Sequence, residues 1–155
     1  REMSDFIVNT STMNVHELKT KIRDIISHED QSRDMYIEVR SFGFKKGIPI
    51  DADIVMDVRF LPNPYFVEEL KEKTGSDPEI KNYLQGFESY GDFMRRFKDL
   101  ISYVLPLYKK EGRSYLNIAV GCTGGKHRSV AIAEEISDLI RDSGYNSRLV
   151  HRDVA

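Results

Sequence analysis

Hydrophobic and polar positions change period several times along this chain, and the order of the changes predicts the fold. Met35, Ile37 and Val39 alternate with Tyr36, Glu38 and Arg40, the period-two pattern of a strand. A loop follows, FGFKKGIPIDAD, carrying two glycines and a proline. The apolar run at residues 54–58, IVMDV, predicts a short buried strand with Asp57 near its end. The next stretch, RFLPNPYF, is predicted extended because its prolines bias the preceding residues away from helix. Asp77 and Pro78 form an N-cap and first-turn pair for a helix reaching about Gly86. Phe93, Phe97, Leu100, Ile101, Val104 and Tyr108 recur at helical spacing and predict a longer helix, its phenylalanines facing the core. Pro106 is expected to kink or end that helix. A strand at 115–120, a glycine loop, a helix to about Ser143 and a last strand near 147–152 complete the series.

The head of the chain reads differently. Residues 6–8, FIV, look like the end of a strand, and Asn14 with Glu17 resembles a capping box. Val15, Leu18, Ile22, Ile25 and Ile26 then form an apolar helical stripe, and residues 27–34 are polar throughout, as in a linker. Two segments are therefore expected: 1–34, the tail of an upstream domain or a linker, and 35–155, a domain of its own. Strands alternate with helices in the second, so the expected class is α/β, a largely parallel sheet flanked by helices. Repeats and low-complexity tracts are not apparent.

With 155 residues, 40% of them hydrophobic and 31% charged, the composition is that of an ordinary folded domain. No apolar run is long enough for a membrane helix. One cysteine excludes an internal disulfide framework, and with no secretory signal in view this fits a reducing, cytoplasmic setting. A net charge of −2 argues against a globally basic nucleic-acid binder. Yet from Lys109 to Arg152 eight Lys and Arg face five Asp and Glu, so a local anion site is permitted.

That excess draws attention to Gly121-Cys-Thr-Gly-Gly-Lys-His-Arg-Ser129, GCTGGKHRS, between strand and helix. Helix starts carry partial positive charge and prefer acids, so Lys126, His127 and Arg128 there oppose the dipole unless an anion sits among them. Gly121, Gly124 and Gly125 let the backbone turn tightly and approach a ligand. The helix-start amides can face an anion, Arg128 can clamp oxygens in a fork, and Ser129 can donate its hydroxyl or cap the helix. Thr123 lies in the same loop. The bland alternative is a strand-to-helix turn with a solvated basic patch.

From Cys122 to Arg128 and Ser129 the spacing also matches C-x5-R-S, the phosphate loop of cysteine phosphatases, in which a thiolate attacks phosphorus. Asp51, Asp53 or Asp57 are then the candidate general acids. A small buried residue at a strand end is the preferred account of Cys122. The same three aspartates suit a sugar hydroxyl, an amine or a metal, and metal is the weakest of these. Asp57 and Arg59 have a structural salt bridge as their simple alternative. In PNPYF, Asn63 and Tyr65 either face the site or belong to a rigid turn. Lys45 and Lys46 are expected solvated, His16 and His28 superficial, and His151 is left open.

The stretches SFGFKKGIPIDADIVMDVRFLPNPYF, TGSD, EGRSYLNIAVGCTGGKHRSVAIAE and HRD resemble the C-terminal domain of the RapZ/YvcJ family, bacterial nucleotide-binding proteins known in enteric bacteria as the RNase adapter. The resemblance covers roughly 35–155, and the head segment looks like the tail of the family's P-loop NTPase-like domain. It implies a fold similar to a phosphofructokinase subdomain. It implies a non-catalytic sensor and adapter, with glucosamine-6-phosphate as ligand, small RNA and an endoribonuclease as partners, and a homo-oligomeric assembly. ATP or GTP is expected only for the upstream domain, since no G-x-x-x-x-G-K-[ST] stretch occurs here and this segment is expected to hold no cofactor. Carried onto this sequence, the family's pocket implies Asp57, Cys122, Thr123, Gly124 and Arg128, with Lys126, His127 and Ser129 in the same loop. Tyr65 stands where enteric members have histidine. Enteric members also have a basic tail beyond the HR motif, and its absence from these 155 residues implies weaker RNA affinity.

Overall fold

The structure, a computed structural model, describes residues 35–154 together with Val15 and Leu18. The chain divides into two compact units, Arg1–Arg33 and Asp34–Ala155. Val15 and Leu18 are helical, as their spacing predicts, though Val15 is exposed. The strand expected at 6–8, the Asn14/Glu17 capping box, the rest of the head stripe, the linker at 27–34 and the two surface histidines lie outside the described residues. Everything below concerns the second unit.

Four strands form one sheet: β1 (Tyr36–Gly43), β2 (Ile54–Asp57), β3 (Tyr115–Cys122) and β4 (Asn146–His151). Their spatial order is β2-β3-β1-β4, and every pairing is parallel. The expected α/β class with a parallel sheet is what the chain adopts. Register places Gly43 beside Cys122, Ser41 beside His151 and Asp57 beside Gly121. All four carboxyl ends therefore open onto one edge, where ligands collect in sheets of this kind.

The central strands explain the parallel arrangement. Leu116, Ile118, Ala119 and Val120 of β3 are buried in succession, so both faces of the strand are covered. In β1, Ile37 and Val39 are fully buried while the side chains between them are partly solvated. Helix α3 (Arg128–Asp142) supplies much of the cover, burying Val130, Ala131, Ile132 and Ala133 consecutively and then Ile136 and Ile140. Each large side chain so buried stabilises the fold by about 1.5–3 kcal/mol relative to exposure.

Helix α1 (Pro78–Gln85) starts where Asp77-Pro78 predicts. Asp77 does not cap it with its side chain, however; the carboxylate turns back to accept from the Thr74 amide at 2.5 Å and hydroxyl at 3.0 Å. Helix α2 (Glu88–Glu111) departs from expectation at Pro106, which lies inside it and does not end it. Proline removes the bond to the carbonyl four residues back, that of Ser102, and both residues are exposed, so water can satisfy that group. Tyr90, Met94, Phe97, Ile101 and Leu105 hold the opposite face in the core, and the helix stops only at left-handed Gly112. Phe97 is buried and Phe93 packs beside it, as predicted, but Leu100 is exposed. RFLPNPYF is likewise not extended throughout. It bends and forms a 3-10 turn at Pro64–Phe66, with the Asn63 side chain accepting from the Tyr65 amide. Proline's fixed φ suits a turn as well as an extended chain, so the prolines alone did not choose between them.

Candidate functional site

The loop between β3 and α3 is tied down on every side. Gly125 has φ +82, and a Cβ there would lie 2.7 Å from the Gly43 amide nitrogen and 2.8 Å from Cβ of Asp153. Only glycine fits that conformation and that approach. Cys122 is 3% exposed; its Sγ accepts from the Gly125 amide at 3.3 Å and lies 3.2 Å from Ser129 Oγ. The thiol thus closes the loop from inside. From the other side Gly75 donates its amide to the Lys126 carbonyl at 2.8 Å, and a Cβ on it would sit 2.1 Å from the His127 carbonyl oxygen.

This clamping leaves the start of α3 without a cap. His127 occupies the N-cap position with φ −110 and ψ −85, makes no capping bond, and no acid stands in the first turn. The first intrahelical bond is from the Ala131 amide to the His127 carbonyl, so the amides before it have no partner within the helix. A bound anion is the natural complement of such an end.

Arg128 strengthens the case. Its side chain runs inward and the residue is 4% exposed. Nη1 donates to the Arg59 carbonyl at 2.7 Å and the Leu61 carbonyl at 2.8 Å, and Nη2 to Thr123 Oγ1 at 3.3 Å. None of these acceptors carries a full negative charge. Burial pushes the guanidinium below its usual pKa, while Cys122 and Asp57 act in the opposite sense. Burial also pushes His127 below its ordinary value, with backbone groups of Lys71 partly opposing it and Lys126 adding to the effect. Among the described residues, two buried side-chain nitrogens lack a hydrogen-bond partner, His127 Nε2 and Arg128 Nε. Buried polar atoms are rarely left so. Both belong to adjacent residues of this loop, and both residues line the same cleft.

The cleft has a volume of about 510 Å³. From the loop after β3, Cys122, Thr123, Gly124, Lys126, His127 and Arg128 line it. Lys45, Lys46 and Asp153, from just beyond the ends of β1 and β4, and Asn63, Tyr65, Phe66, Lys71 and Glu72, from the segment after β2, complete the lining. Five fixed cations therefore face two carboxylates. Those carboxylates are already engaged: Glu72 lies 3.2 Å from Lys126 Nζ, and Asp153 accepts from the Gly43 amide at 2.7 Å and from Arg152 at 2.7 Å, with Lys46 farther off at 3.9 Å. Burial alone would raise the Asp153 pKa, but Arg152, the Gly43 amide and Lys46 together hold it below the usual carboxylate value.

The remaining candidates take other places. Gly121, Gly125 and Ser129 frame the loop without lining the cleft. Asp57 and Arg59 also stand outside the lining, joined by a forked pair with contacts of 3.0 and 2.6 Å, and Arg59 lies 4.0 Å above the Phe44 ring. That pair holds the Asp57 carboxyl below its ordinary pKa. Asp51 is bound by Arg40, and Asp53 by Arg113 and the Asn117 amide. Among the described residues no cluster of His, Cys, Asp or Glu is arranged to hold a metal. His151 bonds to Ser41 Oγ at 2.9 Å.

Several lining residues were not anticipated. Lys45 and Lys46, expected only solvated, line the cleft, as do Phe66, Lys71, Glu72 and Asp153. A signal existed for three of them: Lys45, Lys46 and Asp153 each follow within three residues of the carboxyl end of a strand. Lys71 and Glu72 carry no such mark, because they arrive through an irregular segment.

Comparison with known proteins places the chain in a family. The family described as the RapZ C-terminal domain matches residues 35–155. Proteins named "Nucleotide-binding protein" from Caldicellulosiruptor saccharolyticus, Geotalea daltonii and Limosilactobacillus reuteri are 49%, 46% and 44% identical to this chain, each over 99% of it. The chain spans about half their length, 53%, 54% and 53% respectively. It belongs to the RapZ family, of which residues 35–155 are the C-terminal domain.

Proposed function

We propose that this domain is a non-catalytic sensor whose cleft binds a phosphorylated small molecule and passes that occupancy to a macromolecular partner. One observation carries the reading: a buried arginine with no carboxylate partner stands at an uncapped helix start, with its Nε and the neighbouring His127 Nε2 both unpaired. A phosphate group would satisfy the helix amides and these side chains together. Glucosamine-6-phosphate is the first ligand to try, and small RNA and an endoribonuclease are the proposed partners of a cytoplasmic homo-oligomer. Nucleotide binding, for which the relatives are named, is assigned to the half of those proteins that this chain does not span, with ATP or GTP as the proposed nucleotide. No helix among the described residues is long and apolar enough to cross a membrane.

Calorimetric titration of the chain with glucosamine-6-phosphate, with inorganic phosphate as control, tests the reading. Saturable binding of the sugar phosphate, tighter than phosphate, supports a metabolite sensor. Absence of binding by any phosphate compound would overturn it.

The phosphatase alternative has a specific point in its favour, the Cys122 thiol directly under the loop with a backbone amide directed at it. Against it, none of the aspartates suggested as general acid lines the cleft. No turnover of an aryl phosphate is expected. Turnover that disappears in Cys122→Ser would replace the binding reading with an enzymatic one.

A further inference from the structure

The two unpaired nitrogens, His127 Nε2 and Arg128 Nε, are buried, so a ligand in the cleft reaches neither until something moves. Both residues lie against the segment from Arg59 to Gly75, which follows β2 and contains 3-10 turns at Pro64–Phe66 and Glu68–Leu70. This segment is tied to the loop by the loop's own cations. Arg128 Nη1 donates to the carbonyls of Arg59 and Leu61, and Lys126 Nζ donates to the Lys71 carbonyl at 3.2 Å. The His127 ring lies against the backbone of Lys71, Lys73 and Leu70. One bond runs the other way, from the Gly75 amide to the Lys126 carbonyl. From Pro62 to Thr74 only Pro64 and Leu70 are buried, so little apolar packing holds the segment down.

The carbonyls that receive Arg128 and Lys126 are neutral. A phosphate oxygen carries charge and is the stronger acceptor for a guanidinium or an ammonium. The guanidinium is one rigid plane, so turning Nε towards a ligand turns Nη1 away from its two carbonyls. The Leu61 carbonyl, whose bond to Arg128 is buried, then needs another partner. Water supplies one once the segment lifts.

We propose that residues 59–75 are a strap that anion binding releases: the ligand takes Arg128 and Lys126 from the strap's carbonyls, and the strap loosens. The inference rests on the phosphate-site reading above and names the regulation of that site. Lifting the strap carries Tyr65 and Phe66 with it, 53% and 84% exposed, so occupancy of the cleft changes the surface beside it. A closed strap also lowers the apparent affinity, because only the open fraction binds. A substitution that loosens the strap without touching a cleft-lining residue therefore tightens binding.

Hydrogen exchange read by mass spectrometry on the whole chain tests the strap, with calorimetry on the same samples to report binding. The probes are glucosamine-6-phosphate and inorganic phosphate, each at saturation. Amides of residues 60–75 are expected to exchange roughly tenfold faster with ligand bound, while those of β1 and β3 keep their rates. Val67→Ala and Leu70→Ala remove packing beneath the strap, and neither side chain lines the cleft. Both are expected to bind the probes roughly three- to tenfold more tightly than wild type. Thermal melts report whether they stay folded, and Val67, only partly buried, is the milder change. Unchanged or slower exchange in the strap while a probe is bound overturns the proposal and leaves the phosphate site standing. So does binding no tighter in variants whose straps already exchange fast without ligand. If neither probe binds to wild type or variants, the strap and the phosphate site fall together.

Discussion

Replacing Arg128 by alanine is the sharpest perturbation of this domain, because the guanidinium has two separable roles. The first is structural. Its Nη1 bonds to the carbonyls of Arg59 and Leu61, which fixes the bend after β2 against the start of α3. Removing a partner from a buried acceptor costs about 1–3 kcal/mol per group. One of the two bonds is buried and the other partly buried, so the expected loss is about 2–4 kcal/mol, reduced somewhat because a desolvated cation is no longer held in the core. The second role is towards the ligand. A charged hydrogen bond contributes about 1.5–3 kcal/mol, so phosphate affinity should fall by roughly 10- to 150-fold.

Urea denaturation measures the first role and calorimetry with inorganic phosphate the second. The two are linked, since a ligand that binds only the folded state raises its stability; wild-type protein should gain stability on adding phosphate and Arg128→Ala should gain far less. Arg128→Lys keeps the charge but loses the planar fork, so it should fall between wild type and alanine in stability. If Arg128→Ala proves as stable as wild type within about 0.5 kcal/mol and binds phosphate equally well, the argument from the buried, unpaired guanidinium fails in both parts.

Two further expectations follow from the packing and the electrostatics. Gly75→Ala would place a Cβ 2.1 Å from the His127 carbonyl oxygen and 2.5 Å from the Ala131 amide, both backbone, so a stability loss of at least about 1–3 kcal/mol is expected in thermal melts, with weaker phosphate binding because the helix start must shift. Asp153 has its folded pKa held below the ordinary 3.8, so its contribution is fully present above that value and is lost as pH falls through the folded one. Asp153→Asn should therefore melt lower than wild type at pH 7, and the gap should close below about pH 4; a gap that persists unchanged into acid would refute the charge-based account.

Local pattern carried much of the fold. Met35, Ile37 and Val39 alternate because only one face of the first half of β1 is fully buried, and the apolar run of β3 reflects a strand covered on both faces. These are properties of neighbours in sequence, so the sequence states them. The same holds for the GCTGGKHRS loop: its glycines and its clash of basic residues with the helix dipole are local facts, and they marked eight of the cleft's lining residues when Asn63 and Tyr65 are included.

Decisions that depend on segments distant along the chain were not legible. Whether Pro106 stops a helix depends on whether the opposite face is anchored, and Tyr90, Phe97 and Leu105 anchor it. Whether Asp57 faces a ligand or a neighbour depends on where Arg59 turns, and it turns back onto Asp57 with its guanidinium over the Phe44 ring. Lys45, Lys71 and Asp153 share a cleft only because parallel pairing sets the carboxyl ends of β1, β3 and β4 side by side and an irregular segment folds over them. The sequence by itself determined the elements, the fold class and the cationic loop. Tertiary structure alone decided which charges are neutralised by partners and which, like Arg128, are buried without one, because burial and pairing are relations between parts of the chain that no short window contains.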